Sequence, residues 1–269
     1  MYAIDFEYDG RYLSDFGFIV CDFNPSSGAD VVSAGSMLTF NTTPRHYGKK
    51  YGLTSTAYDG CIEMTFDICK NPDIFDLEDR EITREEYRHL VRWLNRREFL
   101  PFHITGVDCS TWWFNASFNV EKIKINEILY GLELTMVTDS PFGYGKEIST
   151  TFNVTDTNEE FVLHDYSDEI GYLYPNVAIT CKADGTLAID NADSGSSTVI
   201  KNCTTGEVIN FYGDTQIVTS SNEDHKIYND FNFDFFKISN SIKNRKNRIS
   251  ASQPCEITIT YRPIIKDTP

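Results

Sequence analysis

The residues of this chain best equipped for chemistry do not fall into the spacings that chemistry requires. Five histidines, His46, His89, His103, His164 and His225, are scattered along the sequence. None belongs to an H-E-x-x-H zinc motif, and there is no G-x-S-x-G nucleophile elbow and no phosphate-binding loop. With 40 acidic residues, carboxylate pairs arise by chance, so they do not by themselves argue for a glycosidase. The seven cysteines contain no C-x-x-C. Cys61 and Cys69 read as sharing one face of a strand, roughly 26 Å apart, too far for a common metal or a disulfide. Free, mostly buried thiols are expected. No catalytic, cofactor-binding or metal-ligating residue is assigned, no cofactor is expected, and the chain is not read as an enzyme.

Groups suited to binding are easier to find. Trp112-Trp113 could stack sugars or bases, although strand alternation more naturally makes such a pair a core or interface anchor. Tyr166, Tyr172, Tyr174 and Tyr212 are alternative sugar platforms. Residues 41–60 look like a long exposed loop or hairpin, with Pro44, Gly48 and Gly52 as punctuation. Long loops inside compact domains usually have a function. This one is locally basic in an acidic chain and carries two tyrosines. Arg45, Tyr47, Lys49, Lys50 and Tyr51 are therefore the candidate contact arm, reaching a neighbouring subunit or another protein.

These groups must be positioned by strands and one helix. Cys61 to Cys69 alternates, with Ile62, Met64, Phe66 and Ile68 on one face and Glu63, Thr65 and Asp67 on the other. Thr83 and Glu86 form a capping box. Tyr87, Leu90, Val91 and Leu94 then recur at helical spacing, with Arg84, Arg88, Arg92 and Arg96 on another face. Residues 112–118, 120–125 and 132–137 read as three further strands. Pro141, Gly143 and Gly145 mark a boundary. Beyond it no helix is evident, and short strands follow, among them residues 176–181, 228–236 and 255–261. The polar stretch from 145 to 174 is expected to be open to protease. The class is mainly β: residues 1–145 an N-terminal β-sandwich or barrel with one α-helix, residues 146–269 an antiparallel β-sandwich.

Composition closes several classes. The 269 residues are 41% hydrophobic and 14% aromatic, enough for packed cores. A net charge of -16 repels nucleic-acid phosphate, so no nucleic-acid binding is expected. The N-terminus has no basic n-region followed by an apolar run, and no window approaches the length of a membrane span, so folding in a cytoplasm is expected, without membrane insertion.

Several words of the sequence resemble the distal tail (Dit) family of siphophage baseplates. They include Phe6-Glu7-Tyr8-Asp9-Gly10 with Asp15-Phe16-Gly17-Phe18, Trp93-Leu94 followed by Glu98-Phe99-Leu100-Pro101-Phe102, and Ile128-Leu129-Tyr130-Gly131-Leu132-Glu133-Leu134 leading into Asp139-Ser140-Pro141-Phe142-Gly143. Tyr174-Pro175 and Tyr261-Arg262-Pro263 extend the resemblance over nearly the whole chain. It implies a ring-forming N-terminal distal tail domain and a galectin-like C-terminal sandwich. It also implies a structural virion protein of the phage tail tip: a hexameric ring joining the tail tube protein to the tail hub or fibre protein, with receptor-binding proteins as possible cargo of the C-terminal domain. DNA would pass through an acidic lumen without being bound. The alternative function is a carbohydrate-binding module contacting host cell-wall glycans.

Overall fold

The computed structural model describes residues 4–23, 37–46, 48, 50–105 and 111–267. Contacts divide the chain into two units, one running to Gly145 and including the tail from Ile265, the other Lys146–Ile264.

The first unit contains β1 (Asp5–Tyr8), β2 (Arg11–Tyr12), β3 (Phe18–Cys21), β4 (Leu38–Pro44), β5 (Tyr51–Tyr58), β6 (Glu63–Lys70), α1 (Arg84–Leu94), β7 (Leu100–Thr105), β8 (Phe114–Ile125), β9 (Ile128–Thr138) and β10 (Gly143–Tyr144). Seven strands form one sheet in the order β2-β1-β7-β8-β9-β6-β3. The Val20 N–H donates to Ile4 O at 3.0 Å, which ties β3 back to the start of β1 and curls the sheet towards a barrel. Such closure protects edges that would otherwise offer unpaired backbone groups. The inner face is aromatic: Phe6, Tyr8, Phe18, Phe102, Phe114 and Phe118 are all buried. Tyr8 donates its hydroxyl to Ala116 O at 3.2 Å, and burial pushes its pKa up to about 12.

Residues 112–125 make one long strand from Phe114 rather than the two expected. The expected break at Asn119 does not occur, because Asn119 keeps the ladder register opposite Thr135, between Phe118–Met136 and Val120–Leu134; the strand's one bulge comes later, between Ile123 and Lys124. The strand turns at Asn126-Glu127, both at positive φ, the geometry of a tight two-residue hairpin. Cys61 lies before β6 and is exposed, because that strand begins at Glu63. Of the other cysteines described, Cys181, Cys203 and Cys255 are buried and Cys21 and Cys69 half-buried, all of them free.

The α1 capping box forms as its residue types dictate. Glu86 N donates to Thr83 Oγ1 at 3.3 Å, and Thr83 N donates to Glu86 Oε2 at 2.8 Å. Burial raises the Glu86 pKa, but bonds from Lys70 and Thr83 outweigh it and hold the carboxyl below its ordinary range. The buried stripe is Leu90, Trp93 and Leu94; Tyr87 and Val91 stand only half-buried at its margin. Trp93 enters because its ring fits between Phe6 and Phe16, with centroids at 5.8 and 4.5 Å. Its Nε1 donates to Tyr8 O at 3.0 Å, which satisfies the one polar atom it buries.

The second unit contains β11 (Ile148–Val154), β12 (Glu160–His164), β13 (Gly171–Leu173), β14 (Asn176–Cys181), β15 (Gly185–Asn191), β16 (Ser196–Cys203), β17 (Val208–Tyr212), β18 (Ile217–Ser220), α2 (Ile227–Asp230), β19 (Ile238–Asn240), β20 (Lys246–Ala251), β21 (Cys255–Tyr261) and the short β22 (Ile264–Ile265) that leaves it. Two antiparallel sheets, β11-β21-β14-β17-β18 and β12-β20-β15-β16, enclose one aliphatic core. In β21 the residues Cys255, Ile257, Ile259 and Tyr261 are buried and alternate with half-exposed neighbours, as its period of two requires. This is the expected antiparallel sandwich.

Two expectations fail in this unit. Residues 228–236 are not a strand; they open in the single turn α2 and pass through Phe233 at a φ of 60°. The aromatics Phe231 and Phe235 are drawn onto Phe211 by packing, and their spacing mimics a strand. The polar stretch after Gly145 is not an open linker. It supplies β11, paired along its length with β21, and β12, paired with β20.

Candidate functional site

The candidate arm is a free-standing hairpin. β4 and β5 pair only with each other, Leu38 with Tyr58 and Phe40 with Thr56. Thr, Asn and Ser dominate one side and bond among themselves: Asn41 Nδ2 donates to Ser55 Oγ at 3.1 Å, and Thr39 Oγ1 to Asp59 Oδ1 at 3.0 Å. The Arg45 N–H donates to Lys50 O at 3.1 Å and closes the tip. Tyr58 roots the hairpin, with its ring edge-on to Phe142 at 4.7 Å.

The register carries a bulge after Asn41, where Thr54 is the extra residue and Thr42 pairs with Leu53. A bulge changes which side chains share a face. Without it Leu53 and Tyr51 would lie opposite Phe40. With it Leu38, Phe40, Leu53 and Tyr51 fall on one side. Tyr51 is 70% exposed, Phe40 60% and Leu53 59%. Apart from its root, where Tyr58 beside Leu38 meets Phe142, this is an exposed apolar face on a two-stranded ribbon, the kind of surface that monomers seldom leave open.

Of the residues singled out from sequence, Arg45, Lys50 and Tyr51 are exposed at or beside the tip. Tyr47 and Lys49 lie outside the described residues. The sequence reading missed Leu38, Phe40 and Leu53. Leu38-x-Phe40 and Tyr51-x-Leu53 do alternate, but only the bulge puts the two pairs on the same side.

The other candidates sit elsewhere. Trp112 and Trp113 are both half-buried. Trp113 stacks on the His103 ring at 4.7 Å, and His103 Nδ1 lies 2.8 Å from Trp112 O. His89 is exposed on α1. His164 stacks on Tyr166 at 5.4 Å, and Lys237 stands 5.0 Å from the Tyr172 ring, so those two tyrosine platforms already carry a partner. Among the described residues no group of three or more His, Cys, Asp or Glu is arranged to hold a metal ion, and no helix is long and apolar enough to cross a membrane.

One titratable cluster is tightly built. Both Glu207 and His225 have buried side chains, with His225 Nδ1 at 2.5 Å from Glu207 Oε1. Ser220 Oγ donates to the same oxygen at 2.6 Å, and Thr204 N and Oγ1 donate to Oε2 at 2.9 and 3.1 Å. His225 Nε2 lies 3.3 Å from Asp230 Oδ2. Burial raises the Glu207 pKa, but the bonds from Ser220, His225 and Thr204 win and hold it below its ordinary 4.5. Burial lowers that of His225, but the Glu207 carboxylate wins and raises it above 6.5. The pair pins α2 and the β16–β17 turn to the sandwich and offers no open face to a substrate.

The described geometry is a β scaffold with one hairpin that pairs only with itself. The family profile described as Phage tail protein N-terminal domain matches residues 1–140, and the profile described as Phage tail C-terminal domain matches residues 142–261. The chain belongs to this phage tail protein family. Among solved structures, the tail protein is similar to the Dit protein of phage SPP1, with a TM-score of 0.67 at 14% sequence identity, covering 96% of this chain and 98% of that one. The two share a fold over essentially their full lengths. SPP1 Dit is described as a paradigm of the hub adsorption apparatus in phages that infect Gram-positive bacteria. No curated protein matches the sequence.

Proposed function

We propose that this tail protein is a distal-tail adaptor. Six copies of the first unit close a ring at the end of the tail tube and join it to the hub or fibre protein. The second unit offers a surface for receptor-binding proteins. Partners are thus a second copy of the chain, the tail tube protein and the tail hub, and the protein resides at the tail tip of the virion. The observation that carries this is the β4–β5 hairpin, with its apolar side and basic tip, on a chain whose net charge is -16. Rings need heterologous contacts that close by rotation, and a hairpin arm reaching to the next subunit supplies one. The full-length fold likeness to SPP1 Dit supports the same role. Acidic surfaces would also let DNA pass without sticking.

The experiment replaces residues 39–57 with a two-residue turn. Folding, followed by circular dichroism, should be unchanged. Rings should disappear in electron micrographs, both of the purified protein and on tail tubes. Assembly indistinguishable from wild type would remove the arm from the mechanism.

A further inference from the structure

The first unit holds a second unsatisfied surface. Arg84, Arg88 and Arg92 stand at i, i+4 and i+8 on α1, all exposed, with exposed His89 beside them. Like charges at that spacing repel one another. Arg84 also occupies the first helical position, where the helix dipole disfavours a cation. No ion pair or hydrogen bond engages any of the three guanidinium groups among the described residues, although acids outnumber bases 40 to 24 in the chain. The stripe borders a surface groove of about 710 Å3 lined by the three arginines, His89 and one acid, Glu85, with Tyr87 and Val91 as its apolar part. A local concentration of costly cations beside a groove is the shape of an anion-docking site.

The chain carries a counterpart. Segment 73–79 presents the carboxylates of Asp73, Asp76, Glu78 and Asp79, all exposed and without an ion pair among the described residues. Between them stand two aliphatics in water, Ile74 at 64% and Leu77 at 79% exposure. Acids can meet the arginines and Lys122, whose Nζ stands 3.9 Å over the Tyr87 ring, while Ile74 and Leu77 meet Val91. A nucleic-acid occupant is disfavoured by the net charge of -16 on the chain.

We infer that the arginine groove of α1 docks segment 73–79 of a second copy of this chain. This rests on the ring proposed above and names one of its contacts, separate from the arm.

Charge reversal and charge swap test it. Three variants are compared with wild type by sedimentation and electron microscopy, with thermal melts as the folding control: Arg88→Glu with Arg92→Glu, Asp76→Arg with Glu78→Arg, and all four together. Each pair alone should weaken self-association by about tenfold or more, and the fourfold variant should recover to within about threefold of wild type. Raising salt from about 50 to about 500 mM should weaken the wild type in the same sense. Wild-type rings unaffected by either pair would overturn the inference and leave the ring intact. Loss of rings without recovery in the fourfold variant would assign the groove to another acidic partner and overturn it as well. Wild type that forms no rings, alone or on tail tubes, would sink both.

Discussion

Glu207→Gln should destabilise the second unit by about 3–5 kcal/mol, the range for breaking a buried ion pair. The geometry sets that size. The carboxylate accepts four hydrogen bonds, two on each oxygen. A glutamine of the same shape presents one amide nitrogen, which cannot accept, so two donors lose their acceptor and His225 loses its counter-charge. Each charge-assisted bond is worth about 1.5–3 kcal/mol. The assay is urea unfolding with two probes. All three tryptophans, Trp93, Trp112 and Trp113, lie in the first unit, so their fluorescence reports that unit alone. Far-ultraviolet circular dichroism reports both. With a slope of about 1.5 kcal/mol per molar urea, the second unit's midpoint should fall by about 2–3 M while the fluorescence midpoint stays put.

The sign of the pH dependence follows from the two shifts. Glu207 is held below 4.5, so its contribution is complete above that value and lost as pH falls through its lowered pKa. His225 is raised above 6.5, so its contribution is complete below that value and lost as pH rises through its raised pKa. The gap between wild type and variant should be widest between those two values and narrow on both sides. A gap under about 1 kcal/mol, or one flat with pH, would refute the assignment of the pair as a buried ion pair.

Substitutions at two further positions probe the packing. Gly213→Ala would place a Cβ 1.9 Å from Tyr174 O, a backbone atom that cannot swing aside; a loss of about 2–4 kcal/mol in the second unit is expected, read from its unfolding midpoint. Trp93→Ala removes a ring stacked on Phe6 and Phe16 together with its bond to Tyr8 O, and should cost the first unit about 3–5 kcal/mol in the same titration; Trp93→Phe should recover most of the packing but not the hydrogen bond.

The Tyr174-Pro175 word shows where a short sequence signal stops. As part of the family resemblance it was expected to open the sandwich, but the sandwich already begins with β11 at Ile148, and the word only precedes β14 at Asn176. Nothing in the sequence said that Gly213, far along the chain, must lack a side chain so that the Tyr174 carbonyl can approach it. The capping box of Thr83 and Glu86, the alternation of β21 and the mainly β class were all legible because they depend on residues a few positions apart, whose geometry backbone periodicity fixes. What lay at longer range was not legible. Trp93 was read as part of a family word, and only Phe6 and Phe16 reveal it as the ring that seats α1. The aromatics from 228 to 236 alternate like a strand yet are gathered by Phe211 into a turn. The arm's residue types suggested a contact through charge, while its apolar face exists only because a bulge at Thr54 turns Leu53 and Tyr51 onto the side of Phe40. By itself the sequence determined those elements that local spacing sets, such as α1 and β21, but not the turn at 228–236 or the continuity of β8. The tertiary structure decided which faces are covered and which are left for a partner, because burial is a property of what the rest of the chain brings alongside.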